Sequence, residues 1–141
     1  MLATAYDLPL NPAYTKTVTP VVAVLGRAGP VAGLAAHLPT GWRVRAAAGL
    51  DDVRPGEIVL LTGAAGGDVA AARKRLPRHV SVVALVDADA PAETVADVLT
   101  AGADVCVRGG TPAVLAGHLV ACRRRELTDR WSALNRNLTT L

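Results

Sequence analysis

The sequence contains no phenylalanine, and with two tryptophans and two tyrosines its aromatic share is 3% of 141 residues. A core built from this chain must rest on aliphatic packing. Cysteine is equally scarce: Cys106 falls in an apolar strand pattern and Cys122 in a helical one. Two such cysteines are too few for the disulfide framework of a small secreted domain, and buried thiols in a reducing cytoplasm are expected. No apolar run approaches the ~18 residues of a membrane helix. The first residues lack the basic start and apolar core of a signal peptide. A soluble cytoplasmic protein is the expectation, with no membrane contact.

Lysine is also rare. The basic residues are 13 Arg and 2 Lys, and the formal net charge is +3. An electrostatic footprint for nucleic acid needs clustering as well as sign, and only Arg123-Arg124-Arg125 forms a cluster. Three histidines, His37, His79 and His118, are scattered without ligand spacing or a nucleophile partner, so neither a metal site nor a catalytic triad is expected. No enzyme, metal or cofactor is indicated.

What is abundant is aliphatic: 51% of the residues are hydrophobic, enough to bury the core of one domain without metal or disulfide support. Residues 1–17, with Pro9 and Pro12, have no period and are expected to form an extended arm. Strands are then expected at "VVAVLG" (21–26), "WRVRAA" (42–47), "EIVLLT" (57–62), "VSVVALVD" (80–87) and "VCV" (105–107). Helical patterns fall at 30–38, 68–76 and 91–101, and a last helix starts at Thr111-Pro112, a hydroxyl N-cap before proline. Between the second and third strands, "GLDDVRPGE" is too short and too broken by Pro55 and Gly56 for much of a helix. Continuous apolar strands alternating with amphipathic helices mark a parallel sheet covered on both faces. The expectation is an α/β, doubly wound, five-stranded parallel sheet of flavodoxin-like type, with the second helix short or absent and an extended C-terminal helix. Its strand ends should form one rim bearing Gly26, Arg27, Thr62, Gly63, Asp87, Asp89 and Arg108, where a ligand would be contacted.

From Val82 onward, "VVALVDADAPAETVADVLTAGADVCVRGGTPAVLAGHLVACRRR" resembles a response-regulator receiver domain, with the Ala-Gly-Ala-Asp turn (101–104) and the Thr-Pro helix start. The resemblance spans roughly residues 20–125 and assigns 18–125 to a receiver-like domain, followed by a helix extension over 126–141. The family's chemistry needs a phosphoacceptor Asp, an acidic pair for Mg²⁺, a Ser or Thr and a Lys. The matching positions hold Thr62, Gly26 and Arg27, Val86, and either Arg108 or Gly109. Without acidic oxygens a divalent cation has no cage, and a threonine hydroxyl cannot form an acyl phosphate. The resemblance therefore implies a pseudo-receiver whose site is degenerate, in which Arg27 and Arg108 pair with Asp87 or Asp89 or all remain solvated, with Asp89 then capping the following helix.

Two other glycine patterns bear on ligands. "GRAGPVAG" (26–33) resembles the turn of a Rossmann-like dinucleotide-binding domain, but its spacing is not G-x-G-x-x-G and Pro30 removes an amide donor. "TGAAGGD" lacks the Lys-Ser/Thr of a nucleoside triphosphate loop. The alternatives to a protein-interaction module are a small-molecule or nucleotide sensor using the rim and a Rossmann-like dinucleotide-binding domain.

The last helix carries a second signal. Val120, Leu127, Trp131, Leu134 and Leu138 recur at spacings of 7, 4, 3 and 4, which aligns them on one seam past the expected core. Either the seam dimerises or binds a protein partner, or the arm with Tyr6, Leu8 and Tyr14 covers it. The expected function is a phosphorylation-independent regulatory domain that dimerises or binds a protein, as part of a signalling pathway or transcription regulator. Nucleic acid would be reached only through a DNA-binding domain that this sequence does not contain.

Overall fold

Strands rich in valine and leucine form the centre of the molecule because branched side chains pack well on a pleated surface buried on both faces. The computed structural model describes residues 19–139, with side chains through Arg136. The strands are β1 (Val21–Leu25), β2 (Arg43–Ala46), β3 (Ile58–Thr62), β4 (Val82–Val86) and β5 (Val105–Arg108). They pair in parallel in the order β2-β1-β3-β4-β5. The helices are α1 (Leu34–His37), α2 (Gly66–Arg75), α3 (Ala92–Ala101) and α4 (Pro112–Thr139). This is the flavodoxin-like α/β fold expected from the alternation of apolar runs and helical patterns.

Two aliphatic cores flank the sheet. On one face Val22, Val24, Leu60, Val83 and Leu85 pack with Leu34 of α1 and Leu115 and Leu119 of α4. On the other, Val59, Leu61, Val82, Ala84 and Val86 pack with Val69 and Ala72 of α2 and Val98 of α3. Each fully buried valine or leucine contributes about 1.5–3 kcal/mol, so the sheet needs no aromatic ring to hold it. The edge strand β2 does not show the inward–outward alternation expected of 42–47: Arg43 and Ala46 are exposed and Val44 and Arg45 between them are half-buried, as at a sheet edge covered on one side only by its neighbour.

Local differences from the sequence reading have local causes. The helix expected over 30–38 is divided: a 3-10 turn at Gly29–Val31 is followed by Gly33 at φ 83°, and only Leu34–His37 is α-helical. A left-handed residue interrupts a right-handed helix, and glycine adopts that conformation without steric cost. The second helix of the doubly wound pattern is reduced to the 3-10 turn Leu50–Asp52, as the broken linker predicted. Arg45 of β2 fills the structural role there. Its guanidinium bonds Glu57 through Nε to Oε2 at 2.7 Å and Nη2 to Oε1 at 2.8 Å, Asp52 Oδ2 at 3.1 Å through Nη1, and the Asp52 carbonyl.

The Ala-Gly-Ala-Asp turn has a physical explanation. Arg73 of α2 donates to the Gly102 carbonyl at 2.7 Å, the Val80 carbonyl at 2.9 Å and Asp104 Oδ2 at 2.5 Å. The same carboxylate oxygen accepts the Val82 N–H at 2.8 Å, which fixes the start of β4. A Cβ at Gly102 would lie 2.5 Å from Arg73 Cγ, so this position must be glycine for the arginine to pass.

α4 begins at Pro112, with the Thr111 carbonyl accepting the N–H groups of Val114 and Leu115. Its 28 residues give a length of about 42 Å at 1.5 Å per residue, well beyond what strands of four or five residues can cover. Helices in such a fold run opposite to the strands, so the excess projects past the amino edge of the sheet. No helix among the described residues is long and apolar enough to cross a membrane.

Candidate functional site: a locked rim and an exposed helix seam

The parallel register brings the rim residues to one edge. Thr62 pairs with Leu85 and Val86 with Arg108, so the ends of β3, β4 and β5 lie side by side above the loop Gly26–Arg27. At the end of β3, Thr62 turns its hydroxyl onto the chain. Oγ1 lies 3.2 Å from the Leu25 carbonyl and 3.0 Å from the Arg27 carbonyl, and its one proton is shared between them. Gly26 passes close beneath at φ 104°, where a Cβ would sit 2.3 Å from Thr62 Oγ1 and 2.8 Å from the Thr62 carbonyl. The space in front of β3 is thus occupied by a threonine–loop lock.

The charged rim residues do not follow the sequence expectation. Among the described residues, neither Arg27 nor Arg108 forms an ion pair with Asp87 or Asp89; Arg108 instead donates through Nε to the Ala90 carbonyl at 3.2 Å. Asp89 does not cap α3 either, because the N-cap residue is Pro91 and no side chain bonds the helix start. Asp87 and Asp89 leave β4 on an exposed turn closed by the Ala90 N–H on the Asp87 carbonyl at 3.0 Å, and exposed carboxylates at such a turn are satisfied by water. They line an open cleft of about 310 Å³ with Gly63 and Val86, while Thr62 and Gly26 line a separate, more apolar cleft of about 270 Å³. No group of three histidine, cysteine or acidic side chains able to hold a metal occurs among the described residues.

The second region is α4. Up to Cys122 its inner stripe is apolar: Leu115, Ala116, Leu119 and Cys122 are buried against the sheet. One turn further the same stripe becomes polar. Arg123 is buried and paired with Glu126 at 3.3 Å, and Glu126 accepts the Ser81 hydroxyl at 2.7 Å, which ties the helix to the loop before β4. The basic cluster is therefore split rather than solvated as a unit, for Arg125 turns back onto the Cys122 sulfur at 3.3 Å and only Arg124 has no described partner. The boundary expected at residue 125 falls inside a continuous helix anchored through Glu126.

Beyond that anchor the amphipathic pattern is rotated. Leu127, Trp131 and Leu134 are 38%, 62% and 51% exposed, and they lie about a quarter turn from the inner stripe. Val120, at the head of the same seam, is half-buried and packs against the core, so the seam starts on the domain and runs off it. Leu138 and the arm over 1–17 lie outside the residues whose side chains are described.

No protein-family model matches the sequence, and no curated protein matches it significantly.

Proposed function

We propose that this chain is a phosphorylation-independent, receiver-like regulatory domain that acts by self-association or by binding a protein partner through the outward seam of α4, within a signalling or transcriptional system. The observation that carries the reading is the exposure of Leu127, Trp131 and Leu134 along one side of a helix that has left its core. Each such side chain forgoes part of the roughly 1.5–3 kcal/mol that full burial would contribute, and a self-complementary patch in a twofold dimer recovers that for both subunits. The rim supports the same reading from the other end, because Thr62 is held by main-chain carbonyls and offers no carboxylate to phosphorylate.

Light scattering on the wild type and on Trp131→Asp/Leu134→Asp tests it. The wild type is expected to run as a dimer and the double variant as a monomer with unchanged circular dichroism. A wild type that remains monomeric at high concentration removes self-association, and a double variant that unfolds assigns the seam to the chain's own core.

A further inference from the structure

At the amino edge of the sheet, opposite the rim, the loop leading into β4 and the inner face of α4 line an open cavity of about 430 Å³. Its size lies within the roughly 300–1,000 Å³ typical of small-molecule sites. Cys122, Arg125, Glu126, Asp129 and Arg130 line it from α4 at spacings of three, one, three and one, which is one face of a helix. Arg78, His79 and Ser81 close it from the loop, and Asp104 from the turn before β5.

The charges in this cavity are unequally compensated. Asp104 is held by Arg73 at 2.5 Å, and Glu126 by Arg123 at 3.3 Å and the Ser81 hydroxyl at 2.7 Å. Both cations, Arg73 and Arg123, stand outside the lining, so two of the three acidic groups are already neutralised from behind. That leaves the guanidiniums of Arg78, Arg125 and Arg130 facing one carboxylate, Asp129. Arg78 and Arg130 have no described hydrogen-bond or ion-pair partner, and Arg125 touches only the Cys122 sulfur, a weak acceptor.

We infer that this cavity is a binding site for a small, multiply charged oxyanion, a phosphoryl or polycarboxylate group. Three guanidiniums with free donors match such a group because each offers a planar fork to two oxygens. A ligand there bridges Arg78 on the body to Arg125 and Arg130 on α4, and clamps the helix where it leaves the sheet. The site is separate from the rim and from the apolar seam.

Titrating the full chain with pyrophosphate and with citrate, followed by amide chemical shifts at constant ionic strength set with sodium chloride, tests the assignment and separates the two oxyanion sources. Saturable shifts are expected at residues 78–81 and 125–130 for at least one of the two probes. Arg78→Gln and Arg130→Gln, which break no described contact, should each weaken that binding by about tenfold, whereas Arg108→Gln on the opposite rim should leave it unchanged. Shifts that do not saturate, that centre on Gly26 and Thr62, or that persist unaltered in the Arg78→Gln/Arg130→Gln double variant overturn the site.

Discussion

Arg45 grips Glu57 through two parallel hydrogen bonds, at 2.7 and 2.8 Å, across the position where a doubly wound fold ordinarily carries a helix. Glu57 is 5% exposed, and its Oε1 also accepts the Arg54 N–H at 2.8 Å. A charge-assisted fork thereby joins the edge strand β2 to the central strand β3 through a linker with only a 3-10 turn.

Glu57→Gln should destabilise the fold by about 1.5–3 kcal/mol at neutral pH, the range for hydrogen bonds to charged groups. Burial of Glu57 opposes its ionised form, but the Arg45 guanidinium and the Arg54 N–H outweigh it and hold the carboxyl below its ordinary 4.5. Asp52 is lowered too, by the Ala48 N–H and then by Arg45. Groups lowered in this way stabilise fully above their ordinary values and lose that contribution as pH falls through the lowered ones. Urea midpoints of wild type and variant should therefore differ most at neutral pH and converge as pH falls from the ordinary 4.5 through the lowered value of Glu57.

Thr62→Val removes a hydroxyl that holds the Leu25 and Arg27 carbonyls and should cost about 0.5–1.5 kcal/mol. Gly26→Ala should cost more, because it adds a left-handed alanine to a Cβ only 2.3 Å from Thr62 Oγ1. Equal midpoints for the two variants in chemical denaturation would contradict the lock.

Incubation with acetyl phosphate and Mg²⁺ is expected to yield no phosphoprotein by intact-mass spectrometry. The residue facing the end of β3 is a hydrogen-bonded threonine, and no acidic side chain follows β1 in Gly26–Arg27. A mass increase of one phosphoryl group that is lost on mild alkaline treatment would count against the proposed function.

Arg73→Lys should fail to rescue Arg73→Ala. One guanidinium reaches Gly102, Val80 and Asp104 at once, whereas an ammonium is a compact point donor that cannot span all three. Both variants are expected to lose roughly 1.5–3 kcal/mol, a value typical of charged hydrogen bonds, with earlier hydrogen exchange at Val82.

Thiol labelling should distinguish the two cysteines. Burial raises both thiols above their ordinary 9.0, so each is protonated at neutral pH, but Cys122 is 1% exposed and Cys106 only half-buried. A disulfide-exchange reagent should modify Cys106 first in the native protein and Cys122 only on unfolding.

The architecture was legible along the chain because its cause is local. Short β-branched and aliphatic runs such as "IVLLT" and "VVALV" suit strands buried on both faces, and helical patterns between them point to a parallel sheet. The broken linker 49–57 announced the missing helix, since proline and glycine act on their own backbone. The rim was legible as a set of strand ends, with Thr62 as the last residue of its strand. What Thr62 does was not legible, because its partners Leu25 and Arg27 are main-chain carbonyls 37 and 35 residues away, brought near only by the β1–β3 pairing. Arg45–Glu57 and Arg73–Asp104 were equally hidden among 13 ordinary-looking arginines. Periodicity identified the seam Leu127, Trp131 and Leu134, while packing alone decided that Val120 is half-buried against the core and Arg123 is buried. Sequence pattern fixes which faces are apolar within one element. Which of those faces meets the sheet, and which charge finds its counter-charge, is decided by contacts between elements distant in the chain.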